Sequence, residues 1–259
     1  MKIAVIGAGN MGGALIKGWA KSGQVDHIVV ANRSQKKLDQ LRALFPQLQV
    51  TTDNRAAVRD ADIIILVVKP WFMDDVLKEI QPHVDPSRQS VVSCAANYGT
   101  EMLSQALGQG NHFYVIPNIA AEFNASMTFV ARGAQASDEA LRSVVDLFLL
   151  DGATSVVAEH LVEPGMMMAS CGLAYVMRYV RAQMEGGVEM GFYPQQAKQI
   201  ALQTMEGAVK LLKETGWHPE EAIDKVTTPG GITIKGLNEL DHSGFNSAVI
   251  RSLKAGLKR

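Results

Sequence analysis

The 259-residue sequence predicts an α/β fold, in which an N-terminal doubly wound sheet is followed by an all-α C-terminal domain. Two observations predict it. Short apolar runs of strand length alternate with segments of helix length up to about residue 158, as in units that build a parallel sheet. Beyond Pro164 the chain contains no convincing strand. We therefore place one domain at residues 1–158 and a helical domain at residues 159–259.

The first element is the apolar run Ile3–Ile6, which predicts a strand buried on both faces. Gly7, Gly9 and Gly12 follow it with the spacing G-x-G-x-x-G, and helical spacing continues from Ala14. In a Rossmann-type domain these glycines allow the tight turn, the approach of a pyrophosphate and close helix–strand packing. A glycine-rich turn without a ligand is the structural alternative. The context favours a dinucleotide site, whose predicted contacts are Gly7, Gly9, Asn10, Met11 and Gly12.

The second strand, Ile28–Ala31, ends at the residues that predict the identity of the cofactor. A site for NAD usually places Asp or Glu here to bind the ribose 2′-hydroxyl. This chain has Asn32 instead, followed by Arg33 and Ser34 and then by two lysines. Arginine offers a planar fork of donors that suits a 2′-phosphate. We predict NADP(H) as the cofactor, with NAD(H) as the alternative.

The most strand-like run, Ile63–Val68, stops at Lys69-Pro70, because proline disfavours helical geometry at the residue before it. Open α/β sheets bind ligands at the carboxyl ends of their strands. Lys69 and Pro70 are therefore predicted cofactor contacts, although a solvated lysine is an equally simple explanation. The remaining predicted helices of this domain are 35–45, 71–80, 100–107 and 138–149, and its remaining strands are one ending near 50, then 90–93, 112–116, 127–131 and 154–158.

The C-terminal domain begins with the segment 165–184, which is apolar on more than one face. A helix of this kind is buried in a core or in a subunit interface, so we predict at least a homodimer. Further helices are predicted at 194–214 and 219–226, and from about Asn246.

Residues 226–237 contain the second informative stretch, Thr-Pro-Gly-Gly-Ile-Thr. Gly230 and Gly231 expose backbone N–H groups beside a helix start, where a small anion binds. Thr228 and Thr233 add hydroxyl donors on either side. A capped helix–helix turn explains the same residue types without any ligand.

Composition limits the other functions. The formal net charge of −1 gives no sign of a nucleic-acid or membrane partner. Cys94 and Cys171 lie far apart in apolar surroundings, which predicts reduced core thiols. The sequence shows no metal-ligand spacing and no apolar run of about 18 residues. We predict a cytoplasmic protein whose partner is a small-molecule substrate.

Taken together, these motifs resemble the NADP-using pyrroline-5-carboxylate reductases. The resemblance rests on the glycine turn, Asn32-Arg33, Val68-Lys69-Pro70, Pro117-Asn118 and above all Thr228–Thr233, and it spans nearly the whole chain. It implies hydride transfer from NADPH to the C=N carbon of 1-pyrroline-5-carboxylate, which gives proline. It also implies dimers through the helical domains, often gathered into larger rings.

The resemblance implies roles for individual residues as well. Thr233 would donate a hydrogen bond to the ring nitrogen. The carboxylate of the substrate would be held by Thr228, Gly231 and Ile232 beside Gly230, and Asn118 is added to the predicted substrate-binding residues.

The sequence departs from the family at Tyr114–Ala121 and Ala169–Tyr175, where glycine and proline positions differ. Two other functions therefore stay open. One is an NADP-dependent reductase of another cyclic imine or small carboxylate substrate. The other is a non-catalytic NADP-binding protein.

Overall fold

The computed structural model describes residues 1–257. The chain forms two compact units, Met1–Ser170 and Cys171–Arg259. The sequence places the domain boundary at 158/159 instead, and that boundary stays a prediction.

The first unit is built on one mixed sheet, which confirms the predicted doubly wound architecture. Within the described residues its strands run in the order β3-β2-β1-β4-β5-β6-β7-β8. All neighbours are parallel except β6 and β7, which pair antiparallel. The strands are β1 (Lys2–Ile6), β2 (His27–Ala31), β3 (Gln49–Thr51), β4 (Ile63–Leu66), β5 (Ser90–Ser93), β6 (Asn111–Ile116), β7 (Ser126–Arg132) and β8 (Gly152–Val156).

The helices of the first unit cover both faces of this sheet. They are α1 (Asn10–Ser22), α2 (Gln35–Leu44), α3 (Asn54–Val58), α4 (Met73–Ile80), α5 (Thr100–Leu107), α6 (Asp138–Leu149) and α7 (Val162–Met166). Short 3₁₀ turns lie at Pro70–Phe72, Gln81–His83, Ile119–Phe123 and Glu159–Leu161. Three predictions need correction: β4 ends two residues before Val68, α4 begins at Met73 because Pro70 starts a 3₁₀ turn, and β8 lies two residues earlier than the predicted strand 154–158.

Alternation along β1 explains why both faces need helices. Ile3 and Val5 belong to one buried cluster, which also contains Trp19 and Phe148. Ala4 and Ile6 belong to a second cluster on the opposite face. Because successive side chains point to opposite sides of a strand, a strand that is apolar throughout requires a covered sheet.

The segment after β8 belongs to the first unit. The carboxylate of Glu159 accepts hydrogen bonds from the backbone N–H and the hydroxyl of Thr100, at 3.0 and 2.5 Å. Thr100 is the first residue of α5, whose N-cap Gly99 has no side chain to offer. Val162 is fully buried in a third cluster with Tyr114 and Ile116. These contacts explain why the compact unit continues beyond residue 158.

The second unit consists of helices over the described residues. They are α8 (Gly172–Glu189), α9 (Pro194–Thr215), α10 (Pro219–Lys225), α11 (Ile232–His242) and α12 (Phe245–Ala255). Gly187 lets α8 and α9 approach closely, since an added Cβ would lie 3.0 Å from the Cβ of Ala197. No helix within residues 1–257 is long and apolar enough to cross a membrane.

The predicted helix 165–184 is corrected in detail. The chain is helical from Val162 to Glu189, but a single π-helical turn at Met167–Cys171 separates α7 from α8. The helix start predicted beside Gly230 and Gly231 is that of α11, whose extent to His242 the sequence analysis did not give. Sequence analysis missed α3, which is too short to show a period.

Candidate active site

The glycine turn after β1 has the geometry that its sequence predicts. Gly7 has a φ of +108°, and its N–H donates to the carbonyl of Ala31 at 2.8 Å. A Cβ on Gly7 would lie 2.5 Å from the carbonyl oxygen of Val67, and one on Gly12 would lie 2.0 Å from the carbonyl oxygen of Gly7. Glycine at these two positions is therefore required by the fold itself.

Gly9 differs from its neighbours. A Cβ built on it meets no atom of the described chain within 4 Å, and the residue is exposed. It is the N-cap of α1, and the first intrahelical bond runs from Gly13 N–H to its carbonyl at 2.8 Å. The N–H groups of Asn10 and Met11 thus lack intrahelical acceptors, and the first turn carries no acidic residue. This arrangement suits an anionic group placed against the helix start.

A cavity of about 860 Å³ opens beside this helix start. Its size is within the range for a nucleotide-sized ligand. The predicted cofactor contacts that line it are Gly7, Gly9, Asn10, Met11, Asn32, Arg33, Lys69 and Pro70. Gly12 and Ser34, which were also predicted, do not line it: Gly12 is buried against Gly7, and Ser34 is the N-cap of α2.

Asn32 ties the end of β2 to the glycine turn. Its side-chain oxygen accepts from the N–H of Ala8 at 3.1 Å, and its amide donates to the carbonyl of Ser34 at 3.3 Å. A carboxylate here could accept from Ala8 but could not donate to Ser34. The residue therefore has a structural role in the turn in addition to its place on the cavity wall.

Arg33 projects from the same loop and is exposed. Its guanidinium carbon lies 4.2 Å from the centroid of the Phe72 ring, which is a cation–π contact. Phe72 also lines the cavity. Sequence analysis missed Phe72, because the contact joins residues far apart in the chain, on two different strand ends.

Charged residues of both signs line the cavity. The cationic side chains are those of Arg33, Lys37 and Lys69, and the acidic ones are those of Asp75 and Glu79 from α4. Glu79 is engaged elsewhere, since its carboxylate accepts from Asn54 at 2.8 Å and lies 4.0 Å from Arg55. Fewer acidic than cationic side chains of the wall are thus available for an ion pair within the cavity.

The cavity is also lined by residues at and after the ends of β5 and β6 and by Met166 and Ser170. Cys94 is among them, and burial raises the pKa of its thiol. This shift disfavours the thiolate, opposite to the lowered pKa that is typical of a nucleophilic cysteine. Cys94 and Cys171 are both free and half-buried rather than fully buried in the core. No cluster of three or more metal-ligating side chains occurs within the described residues.

Asn118 lies next to the cavity without lining it, while Pro117 and Ile119 on either side do. Its side chain is 3% exposed. The amide oxygen accepts from Ala120 N–H at 3.0 Å, and the amide nitrogen donates to the carbonyl of Ala169 at 3.2 Å. Ala169 belongs to the π-helical turn, so Asn118 connects this turn to the segment after β6 through its hydrogen bonds. Its predicted substrate contact stays a prediction.

The Thr-Pro-Gly-Gly turn lies in the second unit and is largely exposed. Gly230 has a φ of +72°, and the N–H of Gly231 donates to the carbonyl of Thr228 at 2.9 Å. Gly231 is the N-cap of α11 and provides no side-chain cap. Thr233 stands in the first turn of α11, and Ile232 is 85% exposed. The turn thus presents a helix start whose first N–H groups have no intrahelical acceptor.

Two family models match the chain. Residues 159–259 match a model described as pyrroline-5-carboxylate reductase dimerisation. Residues 2–97 match one described as NADP oxidoreductase, coenzyme F420-dependent. The first match covers the turn before α11, and the second covers the glycine turn and most of the cavity wall.

Two relatives are similar over nearly the whole chain. The pyrroline-5-carboxylate reductase of Methanosarcina acetivorans is 35% identical over 258 residues, which cover 97% of this chain and 95% of the relative. Pyrroline-5-carboxylate reductase 1 of Dictyostelium discoideum is also 35% identical over 97% of this chain. The chain spans only about half of that second relative, 48% of its length.

A solved structure shares the fold. It is that of the Plasmodium falciparum pyrroline carboxylate reductase with NADP bound, with a TM-score of 0.89. The superposition covers 99% of this chain and 95% of that one, at 24% identity.

Proposed function

The chain belongs to the pyrroline-5-carboxylate reductase family, and on that premise we propose that it reduces 1-pyrroline-5-carboxylate to proline with NADPH. The observation that carries the proposal is the Thr-Pro-Gly-Gly turn, which presents the start of α11 in a chain that also has a dinucleotide-sized cavity. A dinucleotide-binding domain with another function has no reason to carry that turn. Fold alone would not support a substrate assignment.

The cavity residues hold the cofactor in this proposal. The free N–H groups of Asn10 and Met11 bind the diphosphate, in the space that Gly9 leaves open. Arg33 binds the 2′-phosphate, and Lys69 and Pro70 contact the dinucleotide at the end of β4. Ser34 follows Arg33 outside the cavity wall, and its contact with the 2′-phosphate stays a prediction. The bound NADPH supplies the hydride.

The turn before α11 holds the substrate. The helix start at Gly231 and Ile232 binds the carboxylate, with the hydroxyl of Thr228 beside it. Gly230 allows the turn through its positive φ. The hydroxyl of Thr233 hydrogen-bonds the ring nitrogen while the C=N bond is reduced.

These groups suffice because a cyclic imine is strongly electrophilic once it is protonated. The protein needs to fix the position of the imine carbon and to hydrogen-bond the nitrogen, and it needs no strong acid.

A homodimer is part of the same proposal. Large apolar side chains of the second unit are exposed in the single chain, among them Met177, Met190 and Tyr193. Large apolar side chains that are exposed in one chain can be covered in an interface between subunits. The matched dimerisation model supports the same assembly. Light scattering at micromolar concentration should give at least a dimer mass. A cytoplasmic location stays a prediction.

The test is NADPH oxidation with 1-pyrroline-5-carboxylate, with proline identified as the product by mass spectrometry. Thr233→Ala should lower turnover roughly tenfold to a hundredfold, as expected for one oriented hydrogen bond of about 1.4–2.8 kcal/mol. Thr228→Ala should mainly raise the Michaelis constant, because its contact is present in the ground and transition states alike.

Thr227→Ala is the matched control. The Thr227 hydroxyl donates to the carbonyls of Ile223 and Asp224 at 3.0 and 3.2 Å, so its loss should leave turnover unchanged. If Thr233→Ala keeps wild-type turnover, the assignment of this turn to the active site is wrong. If the protein oxidises NADPH with a different cyclic imine but not with 1-pyrroline-5-carboxylate, that imine is its substrate. If it binds NADPH and turns over no imine, it is a non-catalytic NADP-binding protein.

A further inference from the structure

We propose that Phe72 determines the preference for NADPH over NADH, by holding the Arg33 guanidinium where the 2′-phosphate binds. The inference rests on the proposed function, and it adds a positioning residue that no motif contains. Phe72 acts through Arg33 and is no catalytic residue.

The Phe72 ring is the contact that orients Arg33. The guanidinium carbon lies 4.2 Å from the ring centroid. Among the described residues Arg33 makes no hydrogen bond and no ion pair. A guanidinium held over a ring keeps its N–H donors free, so the ring restrains the position of Arg33 without using its hydrogen-bonding capacity.

Arg33 needs such a constraint because acids line the same cavity. Asp75 lies on its wall, and a long, flexible arginine would be attracted to that carboxylate, whereas Glu79 already contacts Asn54 and Arg55. The structure shows no such pair within residues 1–257. The contact with Phe72 therefore keeps the cation available for a phosphate instead of a neighbouring carboxylate.

The position of Phe72 is itself fixed by its surroundings. Pro70 begins the 3₁₀ turn, and the Phe72 N–H donates to the carbonyl of Lys69 at 2.9 Å. Met73, the next residue, is fully buried and anchors the start of α4. The loop after β4 thereby aligns a residue of the loop after β2.

Trp71 provides a matched comparison within the same turn. It is also an aromatic residue beside a cation, but the Lys69 ammonium lies 6.0 Å from its ring centroid. Trp71 is 71% exposed, and it does not line the cavity. Its ring centroid also lies 6.0 Å from that of Phe72, in a tilted contact, but within residues 1–257 only the Phe72 ring contacts Arg33. Trp71→Leu therefore removes a neighbour of Phe72 while it keeps the ring that contacts the guanidinium.

The experiment is calorimetric titration of the full-length chain with NADPH, NADH, 2′,5′-ADP and 5′-AMP. Phe72→Leu keeps apolar volume but removes the aromatic face. It should lower the affinities for NADPH and 2′,5′-ADP about threefold to tenfold, as expected for the loss of one partly exposed cation–π contact. NADH and 5′-AMP should bind as they do to the wild type. Phe72→Tyr should retain the preference, and Trp71→Leu should leave the NADPH-to-NADH ratio unchanged.

A double-mutant cycle with Arg33→Ala separates positioning from a direct contact. If Phe72 acts through Arg33, Phe72→Leu should add no further loss of NADPH affinity in the Arg33→Ala background. Two results would show that Phe72 contacts the adenosine itself and would overturn the inference. One is that Phe72→Leu lowers the affinities for NADPH and NADH equally. The other is that Phe72→Leu lowers the NADPH affinity as much in the Arg33→Ala background as in the wild type. Binding is measured without substrate, so failure of the imine reductase assay would leave this outcome unaffected.

Discussion

Asp151, between α6 and β8, is a buried acid that makes the stability of the first unit depend on pH. The residue is 0% exposed, and both of its carboxyl oxygens lack a hydrogen-bond partner within the described chain. Burial raises the pKa of this carboxyl to about 8, with no contribution from a charged neighbour. We therefore expect Asp151→Asn, which keeps the shape and removes the ionisable proton, to stabilise the protein at neutral pH.

The size of the effect follows from proton linkage. Above about pH 4 the carboxyl of the unfolded chain is ionised, whereas the folded protein keeps it protonated up to about pH 8. The folded state thus binds one more proton across this window, so its stability is highest below the lower pKa and falls as pH rises toward the higher one. The slope is about 1.4 kcal/mol per pH unit, which amounts to about 4 kcal/mol between roughly pH 4.5 and 7.5.

The assay is urea unfolding at several pH values, followed through the fluorescence of Trp19. This indole is fully buried and packs against Phe148, three residues before Asp151, with ring centroids 5.6 Å apart. Asp151→Asn should remove that part of the pH slope and raise the free energy of unfolding at pH 7.5 by up to about 4 kcal/mol. Asp26→Asn, at an exposed position, should keep the wild-type slope. Identical slopes for Asp151→Asn and the wild type would refute the reasoning.

Further substitutions test other features of the first unit. Gly9→Ala should fold like the wild type yet bind NADPH at least tenfold more weakly, whereas Gly12→Ala should lower the unfolding temperature, because only the second Cβ collides with the chain; normal binding by Gly9→Ala would contradict this. Gly18→Ala should destabilise by about 1–3 kcal/mol in urea, since its Cβ would lie 2.2 Å from a carboxyl oxygen of Asp151. Gly13→Ala in the same helix has no neighbour within 4 Å and should be neutral or stabilising by up to about 1 kcal/mol; similar results for the two glycines would argue against the packing of α1. Glu159→Gln should lower the free energy of unfolding in urea by about 1 kcal/mol, because it weakens the cap of α5. Glu101→Gln, in the first turn of that helix, should lower it by less.

The strands were predictable because their chemistry is local. Runs such as Ile63–Leu66 are apolar throughout, and a strand covered on both faces requires that pattern. The helix Thr100–Leu107 agrees with its prediction at both ends. The antiparallel pairing of β6 and β7 is different, since no pattern within either strand records the direction of its neighbour.

The cavity wall was predictable where it follows a motif. Gly7, Gly9 and Arg33 lie where the strand–turn–helix pattern places them. Phe72 was missed because its role depends on contact with a distant loop. The interactions of Asn118 with the π-helical turn were missed for the same reason, since the turn has no signature in the sequence.

The capping of α5 by Glu159 has a practical consequence for dividing the protein. A recombinant fragment ending at residue 158 would lack the carboxylate that Thr100 binds and would expose Tyr114 and Ile116, which Val162 covers. It would also lack Met166 and Ser170 from the cavity wall. A fragment ending at residue 170 retains all of these and is the one suited to nucleotide-binding studies in isolation.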